Sequence, residues 1–182
     1  MSTRSFICVE QDDGSYKGVY CHSDGYLTYN GAMLLDHYNS REKASEIIAL
    51  GDLSLLCEKL YPDPERPHSF DYDSRQEDVT VAYGRDRGEK GTEAREITLE
   101  DAKESWCEYM YVFGKDGKWS YYNLCEYAPE LRDVETDLAK EFEKMGIERP
   151  ADEYGFFPQS RIDQLKKNKR KSVKTTRLCE GI

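Results

Sequence analysis

Long apolar runs are missing from this 182-residue chain. Nowhere do about 18 consecutive apolar residues occur, the length a membrane-spanning helix needs, and the N-terminal MSTRSFICVEQ has no apolar stretch of the kind a secretory signal carries. A cytoplasmic protein is expected. There is no C-x-x-C pair and no His-x-x-x-His pair, so Cys8, Cys21, Cys57, Cys107, Cys125 and Cys179 do not spell a zinc module. They read as small core residues in a reducing compartment, and neither a metal nor a cofactor is expected. No G-x-x-x-x-G-K-[ST] phosphate loop occurs, and Gly84, Gly88 and Gly91 do not lead a strand into a helix at that spacing. Internal repeats and extended low-complexity segments are absent as well.

What is present is charge and tyrosine. Hydrophobic residues make up 38% and charged residues 34%, so much of the core must come from aromatic side chains, 14 of them tyrosines. Net charge is −10, unevenly spread. Residues 161–182 hold eight Lys or Arg against Asp163 and Glu180, so the preceding 160 residues carry −16. Such a body suits a basic partner, because opposite potentials steer encounter and fix register.

The expected fold is α+β: two β-hairpins plus a short strand in an antiparallel sheet, packed with helices. It is read as one acidic domain over residues 1–160 and a basic tail over 161–182. The first hairpin covers residues 4–22; with Asp13-Gly14 as a two-residue loop, Glu10 faces Lys17 and Ile7 faces Tyr20. Asn30 is positioned to cap a short helix, and Ser40 to cap a better one carrying Ala44, Ile47, Ile48 and Leu50 as far as Gly51. Residues 61–78, with three prolines and an excess of acid, read as a long loop. Val79–Tyr83 reads as a strand, and Thr98 caps a helical turn. Residues 106–126 form a second hairpin around Lys115-Asp116-Gly117 that pairs Phe113 with Trp119 and Tyr111 with Tyr121. Residues 129–145, from Pro129 to Gly146, show the spacing of an amphipathic helix.

GVYCHSDGY, residues 18–26, gathers a cysteine, a histidine, a serine and an aspartate in four positions. Neighbours on a strand point to opposite faces, so Cys21 and His22 cannot act as nucleophile and base on one another. Cys21 belongs with Val19 in the core, His22 lies beside Tyr20 on the other face, and Ser23-Asp24-Gly25 supplies a turn. His22, Asp24 and Tyr26 remain candidates for partner contact. Carboxylate pairs such as Asp71/Asp73 and Glu77/Asp78 can serve a glycosidase or hold magnesium, but 36 acidic residues produce pairs by chance and no histidine- or glycine-rich frame stands beside these. They are solvated surface or partner contacts, with Tyr111 and Tyr121 added from the aromatic ladder. No catalytic residue is assigned. Carboxylates on a rigid sheet and loop can also imitate a phosphate backbone and occupy an Arg/Lys groove.

Lys166, Lys167, Lys169, Arg170, Lys171 and Lys174 put six cations within nine residues. That density suits sequence-blind contact with DNA or RNA phosphates, and equally suits folding back on the acidic body or plain solvation.

The N-terminal third carries a further mark. MSTRS, a D-G hairpin, the YCHSDGY segment, the LLDHY helix and the GDLS stretch, together spanning residues 1–56, resemble the opening of small acidic proteins of bacteriophages and mobile elements. With its size and charge, the chain resembles a type II-A anti-CRISPR protein. The resemblance implies a non-enzymatic inhibitor that binds a type II CRISPR-Cas effector nuclease, with or without guide RNA, and hinders its use of target DNA. It offers no catalytic residues to carry over. The competing expectation is a phage nucleic-acid-binding accessory protein acting through the basic tail.

Overall fold

The structure, a computed structural model, describes residues 2–146. The basic tail lies outside the described residues, as do Tyr154, Phe156 and Phe157, which the sequence offers as an aromatic anchor.

Among the described residues the fold is α+β, built on a mixed sheet. The first hairpin is β1 (Ser5–Glu10) and β2 (Tyr16–Cys21), and the second is β6 (Tyr109–Phe113) and β7 (Trp119–Asn123). Each hairpin is antiparallel within itself, but β1 and β6 lie side by side in parallel, Ser5 opposite Tyr109 through Val9 opposite Phe113. Short strands β3 (Leu53–Leu55) and β4 (Val81–Ala82) extend one edge, and β8 (Arg132–Asp133) extends the other; β5 (Arg95–Glu96) pairs with part of β2.

The register of the first hairpin corrects the sequence expectation by one residue. Glu10 faces Tyr16 and Ile7 faces Val19, not Lys17 and Tyr20. The cause is the turn: Gly14 takes φ +86°, which a glycine tolerates, so Asp12-Asp13-Gly14 is a three-residue loop like Lys115-Asp116-Gly117, where Gly117 has φ +78°. The second hairpin pairs as expected, Phe113 with Trp119 and Tyr111 with Tyr121.

Because β1 and β6 are central, both of their faces are buried. Ile7, Val9, Tyr111 and Phe113 enter the larger core, while Phe6, Cys8, Met110 and Val112 enter a smaller one with Ile97 and Ala102. The larger core is roofed by a π-helical turn at Leu27–Gly31 and by α1 (Ala32–His37), α2 (Arg41–Ala49) and α5 (Val134–Lys144). The Ser40 side chain accepts from Lys43 N–H, so the cap stands where the sequence places it. Asn30 does not cap; it is buried within the π-helical turn. The last helix begins later than Pro129: Asp133 caps it by accepting from Thr136 N–H, and Val134, Leu138 and Phe142 form its buried face, leaving Leu131 exposed. A five-residue helix α3 (Tyr83–Arg87) follows β4, and α4 (Leu99–Glu104) covers the smaller core behind a Thr98/Asp101 capping box.

Candidate partner-docking loop

The aromatic ladder of the second hairpin faces inward. Tyr111 is completely buried and its hydroxyl donates to Gly25 O at 2.8 Å; Tyr121 is buried, with its hydroxyl 3.1 Å from Asp137 Oδ2. Both therefore leave the set of expected partner contacts, because a tyrosine committed to the core on the larger, helix-covered side of the sheet presents nothing to a partner.

GVYCHSDGY is likewise structural over most of its length. Cys21 is buried in the core, and burial raises its thiol to about 11. His22 lies on the opposite side from Cys21, with Nδ1 2.8 Å from the Tyr20 hydroxyl, and its N–H bonds Leu53 O. Asp24 sits at φ +55°, a left-handed position that Asp tolerates, and burial raises its carboxyl above the ordinary range. Gly25 is wedged against the first strand, where a Cβ would stand 2.8 Å from Ser5 Cβ. Tyr26 is half-buried against Tyr29, and burial raises its phenol to about 12. His22 and Asp24 remain partly exposed without being brought together with Asp71 or Asp73.

The acidic segment 61–78 is where structure adds most. It leaves and re-enters the fold at one point: Lys59 N–H donates to Asp78 O at 2.9 Å, Thr80 N–H donates to Lys59 O at 2.8 Å, and Lys59 pairs with the Asp78 carboxylate. Arg85 fastens the neck by donating to Leu60 O at 2.6 Å and to Thr80 O, while also gripping Asp86. Burial works against ionisation of Asp86, but the bonds from Arg85 and Ala82 N–H hold its carboxyl below the ordinary value.

Inside the loop the organiser is Gln76, which is only 4% exposed. Its Nε2 donates to Asp63 O and Arg66 O at 3.1 Å and to Pro67 O at 3.4 Å, and its Oε1 accepts from Asp63 N–H at 3.0 Å. Its own N–H donates to His68 Nδ1 at 3.2 Å, which leaves His68 Nε2 facing Asp86 Oδ2 at 3.5 Å. One side chain thus ties the backbone of Asp63, Arg66 and Pro67 together where no strand ladder does so.

The surface this produces is fixed, acidic and aromatic. Tyr72 is 81% exposed on a single 3-10 turn (Tyr72–Ser74), flanked by exposed Asp71 and Asp73, with Tyr61, Phe70 and Glu77 also exposed. Arg87 is clamped between Phe70 and Tyr83, its guanidinium 4.4 and 4.5 Å from their ring centroids, and Arg75 lies 5.4 Å from that of Tyr72. Six acidic residues stand against two arginines in this segment. Such a surface can accept Lys and Arg from a partner at its carboxylates and stack guanidinium groups on its rings. Asp71, Asp73 and Glu77 were legible as candidates; Asp78 is occupied by Lys59. Gln76, His68 and Tyr72 do not stand out in the sequence, since a lone glutamine among charges carries no signal of burial.

Among the described residues no group of three His, Cys, Asp or Glu side chains is placed to hold a metal ion, and no helix is long and apolar enough to cross a membrane. Comparison with known proteins finds no family model, no curated protein and no solved structure that matches the chain.

Proposed function

We propose that the chain is a stoichiometric inhibitor that binds a type II CRISPR-Cas effector nuclease in the host cytoplasm, with or without guide RNA, and blocks productive target DNA binding or cleavage. The resemblance over residues 1–56 supplies the partner. The observation that carries the binding is the clamped loop 61–78, which holds Asp71, Tyr72, Asp73 and Glu77 outward on a frame fixed by Gln76 and Arg85. Such an effector holds its nucleic acids in Lys/Arg-lined channels, and a pre-ordered acidic surface meets cations without the cost of first ordering itself. Carboxylates at these positions would compete with phosphates for such cations.

Capture from cells carrying a type II system, with the tagged full chain and with and without nuclease treatment, tests this directly. The effector is expected to remain bound after nuclease treatment, and Asp71→Lys with Tyr72→Ala is expected to weaken capture by about 10- to 100-fold, the range of a central interface residue. A second reading rests on the six cations between Lys166 and Lys174: the chain binds nucleic acid through that segment. Capture abolished by nuclease would favour it and remove the first.

A further inference from the structure

A second surface stands apart from the acidic loop, at the β6–β8 side of the sheet. Trp106 is 83% exposed, Tyr127 fully exposed and Leu131 50% exposed. Leu124 N–H donates to Glu108 O at 2.9 Å, one step beyond the Tyr109–Asn123 pair. That bond brings Trp106, two residues before Glu108, and the segment running through Tyr127 to Leu131 to the same side of the sheet. Trp106 holds φ +62°, a left-handed conformation that is rare for a bulky residue. Here a strained backbone leaves an indole in solvent.

The path of the last helix gives the surface an occupant. β8 runs antiparallel to β7, with Asp133 opposite Ser120, and α5 then returns past Tyr121. The Tyr121 hydroxyl lies 3.1 Å from Asp137 Oδ2 in the first turns of α5, the Tyr109 ring stands 6.1 Å from that of Tyr121, and Tyr109 and Met145 pack against the same core. The chain therefore leaves α5 at Gly146 on this same side, with residues 147–182 still to come. Lys166 is 20 residues beyond Gly146, and even a random coil of that length spans about 25 Å. Charge agrees with reach: residues 99–146 hold twelve acidic residues against six basic ones. Glu126 and Glu141 pair with Arg132 and Lys144, but such exposed pairs exchange readily, and Glu104, Glu108 and Glu130 flank the apolar residues in the chain. A second copy would set like charges against each other.

We propose that the Trp106–Tyr127–Leu131 patch is the docking surface for the chain's own basic segment, Lys166–Lys174, whose cations meet the carboxylates of Glu104, Glu108 and Glu130 and the face of the Trp106 indole. Tethering makes the contact intramolecular, at an effective concentration in the millimolar range, so individually weak contacts suffice. Nucleic acid would then reach those cations only by displacing the patch. The claim concerns the chain alone and does not depend on the effector.

Tryptophan emission of the full chain reads the contact, since Trp119 is only 1% exposed and Trp106 alone can respond to solvent. At low salt, emission is expected to be blue-shifted, moving to the red as salt approaches about 1 M, where the screening length falls to about 3 Å. Replacing Lys166, Lys167, Lys169, Arg170, Lys171 and Lys174 by Glu should give the red emission at every salt concentration without touching the folded body, and Trp106→Phe should abolish the response. Emission independent of salt and of the six substitutions overturns the proposal. A shift that grows with protein concentration also overturns it, by assigning the patch to a second copy.

Discussion

Replacing Gln76 by Ala strips the acidic loop of its organiser while leaving every exposed carboxylate in place. The native side chain makes four hydrogen bonds to backbone groups of Asp63, Arg66 and Pro67. Each such bond contributes about 1 kcal/mol net, and water entering the vacated space recovers part of the loss of four, so the closed loop should lose about 3 kcal/mol. At 1.4 kcal/mol per factor of ten, the loop then opens about 100-fold more often. Hydrogen exchange reads this at Arg66 and Ser74, whose N–H groups bond Asp63 O and Asp71 O. Loss of global stability is capped by the free energy that holds the loop closed. Gln76→Glu should be no milder, because it sets a carboxylate against three carbonyl oxygens. Loop amides in Gln76→Ala exchanging within about threefold of the parent would refute the idea that this side chain orders the loop.

Other consequences concern the core and its charges. Tyr111→Phe removes the bond to Gly25 O and should cost about 1–2 kcal/mol in a denaturant titration, with partner capture unchanged; a loss of capture at full stability would return Tyr111 to the contact surface. Asp86, Asp133 and Asp137 are held below their ordinary 3.8 in the folded chain, so their stabilisation is complete above that value and lost as pH falls through the folded values. His37, lowered from 6.5 by burial, acts in the same direction at higher pH. Denaturation midpoints should therefore decline gently below about pH 6.5 and steeply below about pH 4, and a midpoint that rises on acidification contradicts these assignments. Among the described cysteines, Cys125 is exposed whereas burial raises the thiols of Cys8, Cys21 and Cys57, so with Cys179 replaced by Ser a thiol reagent should modify Cys125 first, and adding Cys125→Ser should remove that fast phase.

Local chemistry was legible and long-range pairing was not. Ser40, Thr98 and the Asp-Gly turns announce themselves because a cap or a turn is a matter of three or four adjacent residues. The one-residue slip in the first hairpin arose because Asp-Gly suits both two- and three-residue loops, and Gly14 alone does not say which. The parallel joining of β1 and β6 has no local signal; it follows only once Ser-Phe-Ile-Cys-Val and Tyr-Met-Tyr-Val-Phe are understood as strands buried on both faces. For the same reason the tyrosine ladder reads as a surface in sequence and is a core in three dimensions. GDLS gains a physical meaning: Gly51 takes φ +80° where a Cβ would stand 2.4 Å from Thr92 O, and Asp52 accepts from Tyr20 N–H at 2.8 Å while pairing with Arg95. The acidity of loop 61–78 was visible, and the glutamine that shapes it was not.

The central claim is inhibition by stoichiometric binding, and titrating the purified full chain into a cleavage reaction of the guide-loaded effector tests it most directly. Cleavage should fall in proportion to the molar ratio and cease near a fixed ratio of chain to effector, with Asp71→Lys and Tyr72→Ala shifting the curve to higher ratios. Complete inactivation at a small fraction of the effector's concentration would mark an enzyme, and undiminished cleavage at large excess would remove the effector as partner.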